Sequence, residues 1–228
     1  MKMIEHFTIA GLLAIFASGA LAQSAPLQLQ PRRPAATAAP AAKPAGPAGI
    51  DRSAAIAKAN DWLNSAALMT ADFVQIGGDG SRTEGKLHVQ KPGRMHFEYA
   101  APAPLEIRAD GTSVAVIDRK LKTQDLSFIG QTPLKFLLKD HIDLARDTKV
   151  LDVTSEGKST SVLVEDKATF GGTSRIKLTF DSTTFALKQW KVVDPQGYET
   201  LVSLFNVDTT SIPDPALFKI EFDRYPKK

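Results

Sequence analysis

Residues 84–111 read EGKLHVQKPGRMHFEYAAPAPLEIRADG and decide the fold, because they combine alternating apolar and polar residues with two turn signals. The alternation places apolar side chains on one face of two successive segments: Leu87 and Val89 in the first, and Met95, Phe97 and Tyr99 in the second. A two-residue loop would pair Val89 with His96 and mix the faces, whereas a three-residue loop over 91–93 pairs Val89 with Met95. The sequence therefore predicts a β-hairpin with the longer loop, in which Gly93 takes a positive φ.

Most of the remaining chain alternates in the same way and predicts further short strands. Their predicted ranges are 70–76, 85–90, 94–99, 105–109, 113–118, 124–128, 150–155, 161–165, 175–181, 185–193, 199–207 and 217–222. An amphipathic helix is predicted from Asp51 or Ser53 to about residue 66, and a short helix over 133–139. So many short strands at close spacing indicate an antiparallel meander, and a sheet of this size curls or closes.

The apolar faces of these strands would meet in the interior of the curled sheet. Besides the hairpin residues, these faces include Val116, Leu178 and Phe180. Such an interior is either a packed core or a cavity for an apolar ligand, and the alternation is compatible with both.

The first 50 residues differ in composition from the rest of the chain. Residues 1–22 are typical of a secretory signal peptide, with an apolar stretch followed by an Ala-Leu-Ala cleavage site. Residues 23–50 hold six of the 14 prolines and predict a disordered linker. This organisation leaves 51–228 as a single folded domain.

Charge and cysteine content narrow the class of protein further. The net charge of +3 equals that of the linker, which carries three basic residues and no acid, so the folded domain is neutral. A neutral domain argues against nucleic acid as a partner. Because the chain has no cysteine, it forms no disulfide and cannot carry a lipid on a cysteine at its cleavage site. Since no later apolar run reaches ~20 residues, we expect a mature protein that is soluble outside the cytoplasm.

Residue spacings typical of catalytic or metal sites do not occur in the sequence. His88, His96 and His141 stand outside any metal-ligand spacing, and His88 and His96 are interpreted as solvated strand residues. No nucleophile elbow or phosphate-binding loop occurs either, so we expect no catalytic residue, no metal and no cofactor. A secreted β-barrel hydrolase stays an alternative, although it would need a catalytic cluster that the sequence does not display.

Several short motifs follow one another in a fixed order along the chain. They are Phe73-x-Gln75, Gly85-x-Leu87-x-Val89, the run Lys-Pro-Gly-Arg-x-x-Phe-x-Tyr from Lys91 to Tyr99, a following proline, and Asp110-Gly111. This order resembles the LolA family of periplasmic outer-membrane lipoprotein carriers. The resemblance spans about residues 51–222. It implies an incomplete, open antiparallel β-barrel of about ten to eleven strands, mainly β, with helices that act as a lid.

The resemblance also implies a function, partners and a location. Such a carrier binds the acyl chains of lipoproteins in a hydrophobic cavity. It shuttles them through the periplasm from an inner-membrane lipoprotein-releasing ABC transporter to an outer-membrane lipoprotein acceptor, as a monomer and without a cofactor. A secreted module that senses lipids or lipoproteins, rather than carrying them, stays an alternative.

The resemblance also implies site residues, which are the residues of this sequence that stand at the matching positions of the family pattern. Lys91 stands where family members usually have an arginine that holds the lid helices, so Lys91 and Arg94 are the expected lid latch, although lysine lacks the planar fork of arginine. Residues that match the cavity mouth or continue the apolar faces form the expected lipid-binding wall: Leu87, Val89, Met95, Phe97, Tyr99, Val116, Leu178 and Phe180.

Overall fold

The structure is a computed structural model that describes residues 51–169, 171–222 and 225. These residues belong to one compact unit, and the predicted signal peptide (1–22) and linker (23–50) lie outside them. None of the described helices combines the length and the apolar character that crossing a membrane would require.

Eleven strands within the described residues form one antiparallel sheet, in the order β6-β5-β4-β3-β2-β1-β11-β10-β9-β8-β7. Their bounds are β1 Leu68–Gly77, β2 Arg82–Gln90, β3 Arg94–Tyr99, β4 Leu105–Asp110, β5 Ser113–Asp118, β6 Thr123–Phe128, β7 Lys149–Glu156, β8 Ser159–Thr169, β9 Gly172–Asp181, β10 Leu187–Val193 and β11 Glu199–Asp208. Strands β6 and β7 are the edges and do not pair with each other in the described ranges, so the sheet is open. The prediction of an open antiparallel fold of ten to eleven strands is confirmed.

Three α-helices in the described part of the chain accompany the sheet: α1 Arg52–Ser65, α2 Lys135–Leu138 and α3 Leu144–Asp147. Asp51 caps α1 by accepting from backbone N–H groups of its first turn, which fixes the start that the sequence predicts. The buried face of α1 consists of small residues and one leucine, and it packs on the core of the concave side of the sheet: Ala55, Ala59 and Leu63. Helix α2 lies within the short helix predicted over 133–139.

The hairpin of β2 and β3 has the predicted register. Val89 pairs with Met95 and Leu87 pairs with Phe97, so the apolar side chains stay on the concave face. Gly93 has a φ of 75°, and a Cβ at this position would lie 2.7 Å from the Cα of the glycine at 111. The turn therefore requires glycine for its backbone conformation and for its close contact with the β4–β5 turn.

An aromatic cluster forms the centre of the core. Phe97 contacts Phe73 and Trp190 edge to face, with ring centroids 5.0 Å and 6.3 Å apart. Phe136 of α2 contacts Trp190 in the same way at 5.8 Å, so this helix closes the core from the concave side. Aromatic pairs of this geometry contribute ~0.5–1.5 kcal/mol each beyond their buried area.

The C-terminal segment does not form the strand predicted over 217–222, and that prediction is wrong. A 3₁₀ helix spans Pro215–Phe218, where the Asp214 side chain accepts from the backbone N–H of Ala216. Ile220 then packs on the outer face of β5. A proline that lacks an N–H and an aspartate that caps the next turn favour a helical turn over a strand at this position.

Helix α3 has no counterpart among the predicted elements. Asp143 caps it, and Asn64 of α1 exchanges two hydrogen bonds of 2.9 Å and 2.8 Å with the backbone of Ile142 just before it. A helix of four residues is too short to show a hydrophobic period, and its Leu144 backbone N–H donates to the side chain of Asn60 in α1. Hydrophobic periodicity therefore could not reveal it.

Candidate functional site

A cavity of about 440 Å³ lies on the concave side of the sheet, next to the aromatic core. Residues 131–134, which lead into α2, line one side of it. The apolar part of its wall includes Phe97, Leu105, Ile107, Leu134, Trp190 and Val192. The interior of the sheet is therefore part packed core and part cavity.

Two of the predicted wall residues line this cavity. Phe97 and Tyr99 project from β3, and Phe97 touches the aromatic core on its other side. The expectation that they bind acyl chains stays a prediction, which their position in the wall makes geometrically possible.

Five other predicted wall residues lie in the packed core instead of in the cavity wall: Leu87, Val89, Met95, Leu178 and Phe180. Their side chains are almost completely buried. The physical reason is that α1 and α2 pack over this part of the concave face, as the edge-to-face contact of Trp62 with Phe180 shows. Contact of these five side chains with a ligand would require the helices to move.

Val116 is placed differently again. It pairs with Ile107 of the cavity wall and therefore lies on the concave face, but 41% of it is exposed. Its other partner is Asp125 of the edge strand β6, so an apolar neighbour is missing on that side. Val116 thus lies beyond the cavity wall, toward the open edge of the sheet.

Lys91 joins the hairpin tip to α1. Its Nζ donates a hydrogen bond to the backbone carbonyl of Leu63, one of the last carbonyls of the helix, which have no partner within the helix itself. Desolvation lowers the pKa of Lys91 to about 8, against an opposing attraction from Asp140. The backbone N–H of Gly93 also donates to the carbonyl of Leu138 at 2.8 Å, so the tip contacts both α1 and α2.

Arg94, the second predicted latch residue, is not brought to the helices. It is exposed, and its neighbour Met95 points into the core. Because successive strand residues point to opposite faces, the Arg94 side chain lies on the outer face of the sheet. The structure therefore places Lys91 alone of the two at the helices.

A second lysine also connects a helix to the sheet, and this contact was not predicted from the sequence. Lys135 of α2 donates to the carboxylate of Asp166 in β8 at 2.6 Å, and both side chains are almost fully buried. The backbone N–H of Ala168 donates to the same oxygen at 3.0 Å, which leaves the other carboxylate oxygen without a partner. One signal was present: Asp166 continues the inward-facing series of Val162 and Val164, where an acid requires a counter-ion.

A polar pair in the cavity wall was also not predicted from the sequence. The Tyr99 hydroxyl donates to the Oε1 of Gln75 at 2.8 Å, and both residues line the cavity. Burial raises the pKa of Tyr99 to about 12, so the hydroxyl keeps its proton at neutral pH. The signal was again a polar residue in an apolar series, since Gln75 follows Ala71 and Phe73 on the inward face of β1.

The interpretation of both histidines as solvated is wrong for His96. His88 and His96 are cross-strand partners with ring centroids 6.2 Å apart, but His96 is only 3% exposed. Its Nε2 lies 3.2 Å from Glu106, which is also paired with Arg108, and desolvation lowers the pKa of His96. The C-terminal segment packs beside this outer face, and the Lys219 carbonyl accepts from Arg108. No group of three or more potential metal ligands occurs among the described residues.

Comparison with known proteins gives a family match. Residues 64–221 match the family model described as outer membrane lipoprotein carrier protein LolA. An outer-membrane lipoprotein carrier protein of Legionella pneumophila (strain Lens) is 30% identical over 166 residues, which cover 69% of this chain and 80% of that protein. One of Chromobacterium violaceum is 25% identical over 175 residues, which cover 73% of this chain and 83% of that protein.

Among solved structures, a LolA superfamily protein from Nitrosomonas europaea matches 74% of this chain and 97% of its own. The two sequences are 9% identical, and the TM-score is 0.43.

Proposed function

Because the chain belongs to the LolA family of outer membrane lipoprotein carrier proteins, we propose that it binds the acyl chains of lipoproteins and carries them across the periplasm. It would take them from an inner-membrane lipoprotein-releasing ABC transporter and deliver them to an outer-membrane lipoprotein acceptor. It would act as a monomer, by binding and release, without a cofactor. The predicted signal peptide and the absence of cysteine support a mature protein that is exported and carries no lipid of its own.

The cavity on the concave face carries the proposal. An acyl chain in water costs ~0.8 kcal/mol for each exposed CH₂, so a multiply acylated anchor cannot cross an aqueous compartment unaided. A cavity with an apolar wall, next to a core that is itself apolar, offers a site where this cost is avoided. Its residues bind by burial, which needs no covalent chemistry.

The described cavity is small for such cargo. Its volume of about 440 Å³ lies toward the lower end of the range of pockets that hold a single small ligand, ~300–1,000 Å³. We therefore propose that α1 and α2 move outward when cargo enters. The five predicted wall residues that are now in the core would then join Phe97 and Tyr99 in the wall of an enlarged cavity.

Lys91 is the proposed latch of the closed form. Its bond to the Leu63 carbonyl and the adjoining bond from Gly93 to Leu138 hold both helices at one hairpin tip. Release of the Lys91 contact would let the end of α1 move from the sheet without breaking a strand pairing, whereas α2 is also held by Lys135.

Native mass spectrometry of the protein purified from a periplasmic extract tests the proposal. We expect bound acylated peptide or lipoprotein, and an Ile107→Trp variant is expected to lose it because the new ring fills the cavity. The matched control is Leu126→Trp, since Leu126 is 48% exposed and lies on the outer face, opposite the cavity. If chemical crosslinking also fails to retain any acylated cargo, the proposed function is wrong.

A further inference from the structure

Gln75 is one of several polar residues in the largely apolar wall of the cavity, and it interrupts the apolar series of its own strand. It lies on the inward face of β1, two residues after Phe73, and it is paired across the sheet with Val202 of the same cavity. An apolar residue here would continue the wall, whereas a primary amide brings one acceptor and two donors into it. A half-buried amide next to an acyl chain loses free energy unless its hydrogen-bonding groups find partners.

Tyr99 fixes the orientation of this amide. Its hydroxyl donates to Oε1 of Gln75 at 2.8 Å, while its ring is held by Phe73 at 5.1 Å between centroids, edge to face. Tyr99 is only 4% exposed, so the hydroxyl has little freedom to turn toward water. Because Oε1 accepts from Tyr99, the amide is oriented, and its Nε2 group is the only donor that Gln75 offers to a ligand.

The charged residues that line the cavity restrict the charge of the ligand group that can bind there. Among the described residues that line it, Asp194 is the only aspartate, glutamate, lysine, arginine or histidine. Its carboxylate accepts from the backbone N–H groups of Gln196 and Tyr198, both at 2.9 Å. A free fatty acid would bring a second carboxylate into a wall whose described residues offer no cation, and an unpaired buried carboxylate is strongly unfavourable. A neutral carbonyl meets no such penalty.

We propose that Gln75 donates through Nε2 to the carbonyl oxygen that links an acyl chain to its parent molecule, an ester or an amide, with Tyr99 as the positioning residue. The inference rests on the proposed function, since it assumes that acyl chains occupy this cavity. It adds a polar criterion to apolar contact with the chain: the cavity recognises the linkage as well as the chain. Free fatty acids and ether-linked alkyl chains are the ligands that this criterion rejects.

Binding of matched synthetic ligands tests the inference. Three probes share the same alkyl length: a cysteine peptide with an ester-linked diacylglyceryl group, its dialkyl ether analogue without carbonyls, and the free fatty acid. Titration calorimetry gives the Kd of each with the purified protein. One hydrogen bond of average strength predicts that the ester peptide binds ~5- to 10-fold more tightly than the ether peptide.

Variants of the protein test whether Gln75 causes the tighter binding of the ester peptide relative to the ether peptide. Gln75→Leu, which keeps the size of the side chain and removes the amide, is expected to bring the ester-to-ether ratio to one. Tyr99→Phe keeps the packing but frees Oε1, so an intermediate ratio is expected. Thr200→Val is the matched control, because it removes another hydroxyl from the same wall and should leave the ratio unchanged. Circular dichroism confirms that each variant is folded.

The outcomes separate this inference from the proposed function. If the native protein binds both peptides equally, or if the ratio survives in Gln75→Leu, the inference is wrong while the carrier function stands. If no acylated peptide binds at all, the proposed function fails and the inference fails with it.

A diacyl phospholipid serves as a fourth probe, since it contains the same esters: its binding should show the same dependence on Gln75 but be weaker than that of the peptide. Binding of the phospholipid that does not change in Gln75→Leu would also contradict the inference.

Discussion

Two lysines hold helices against the same sheet by different electrostatics. Lys91 reaches from the β2–β3 turn to α1, where its hydrogen-bond partner is a neutral backbone carbonyl. Lys135 reaches from α2 to β8, where its partner is the buried carboxylate of Asp166. The first contact leaves an ammonium group desolvated beside a weak dipole, and the second neutralises one charge with another.

The difference indicates which helix is easier to release. Lys91 can leave its carbonyl and regain full hydration, because only a polar neutral group stays behind. If Lys135 leaves, the carboxylate of Asp166 loses its counter-ion but stays in a low-dielectric interior, where an unpaired charge is costly. We therefore expect α1 to move before α2 when the cavity enlarges, with α2 as the more fixed side.

Lys135→Met is expected to have the largest effect on stability. The replacement keeps the apolar stem but leaves the Asp166 carboxylate, only 2% exposed on a rigid strand, without its counter-ion. Removal of one partner from a buried pair costs ~3–5 kcal/mol, which urea unfolding followed by tryptophan fluorescence would report as a lower free energy of unfolding.

Two further variants show whether charge is the cause. Lys135→Met combined with Asp166→Leu removes both charges and is expected to recover most of the loss. Lys139→Met is the matched control, because its partly exposed ammonium contacts Asp147 at 2.9 Å and an exposed pair contributes ~1 kcal/mol or less. A double variant that is no more stable than Lys135→Met would contradict the electrostatic account of the α2 contact.

Lys91→Met is expected to have a smaller and more local effect. The Leu63 carbonyl would lose a charged donor, and because Lys91 is partly exposed we expect a loss of ~1–2 kcal/mol. Hydrogen exchange of the last turn of α1 should become faster, while exchange in α2 stays unchanged. Lys86→Met, which breaks an exposed pair with Asp72, is the control. Equal acceleration in both helices would mean that they open as one unit.

The hairpin at 91–93 shows what the sequence predicts well. Its register follows from the requirement that Val89 and Met95 share a face, and its turn follows from the conformational freedom of Gly93. Both are local constraints that neighbouring residues carry. The open antiparallel sheet follows from the repetition of the same local pattern along the chain.

The polar contacts of the interior were harder to predict, because each joins residues far apart in the sequence. Asp166 and Gln75 both interrupt an inward-facing apolar series, which shows that a partner is needed but not which one. Their partners, Lys135 and Tyr99, lie 31 and 24 residues away. Apolar alternation likewise could not separate wall from core, since Phe97 and Leu87 are cross-strand partners and only one lines the cavity.

The smallest expected effect is a dependence of stability on pH that belongs to Lys91. In the folded protein desolvation lowers the pKa of Lys91 to about 8, whereas the value for a solvated lysine is 10.5. Between these two values the unfolded chain binds more protons than the folded one, so the free energy of unfolding rises with pH. Well below pH 8 both states are protonated and this contribution is constant. Because Lys91 is partly exposed, we expect a rise of about 1 kcal/mol or less.

The useful range for this measurement is about pH 7.5 to 9.5. Burial raises the pKa of Tyr99 to about 12, so above its usual value of 10 the ionisation of Tyr99 in the unfolded chain lowers stability and opposes the effect of Lys91. Lys91→Arg keeps a positive charge that does not titrate in this range, and Lys91→Met keeps none, so both variants should give a flat profile. If the rise persists in either variant, another group causes it. The α1 contact would then not be the source of the dependence on pH.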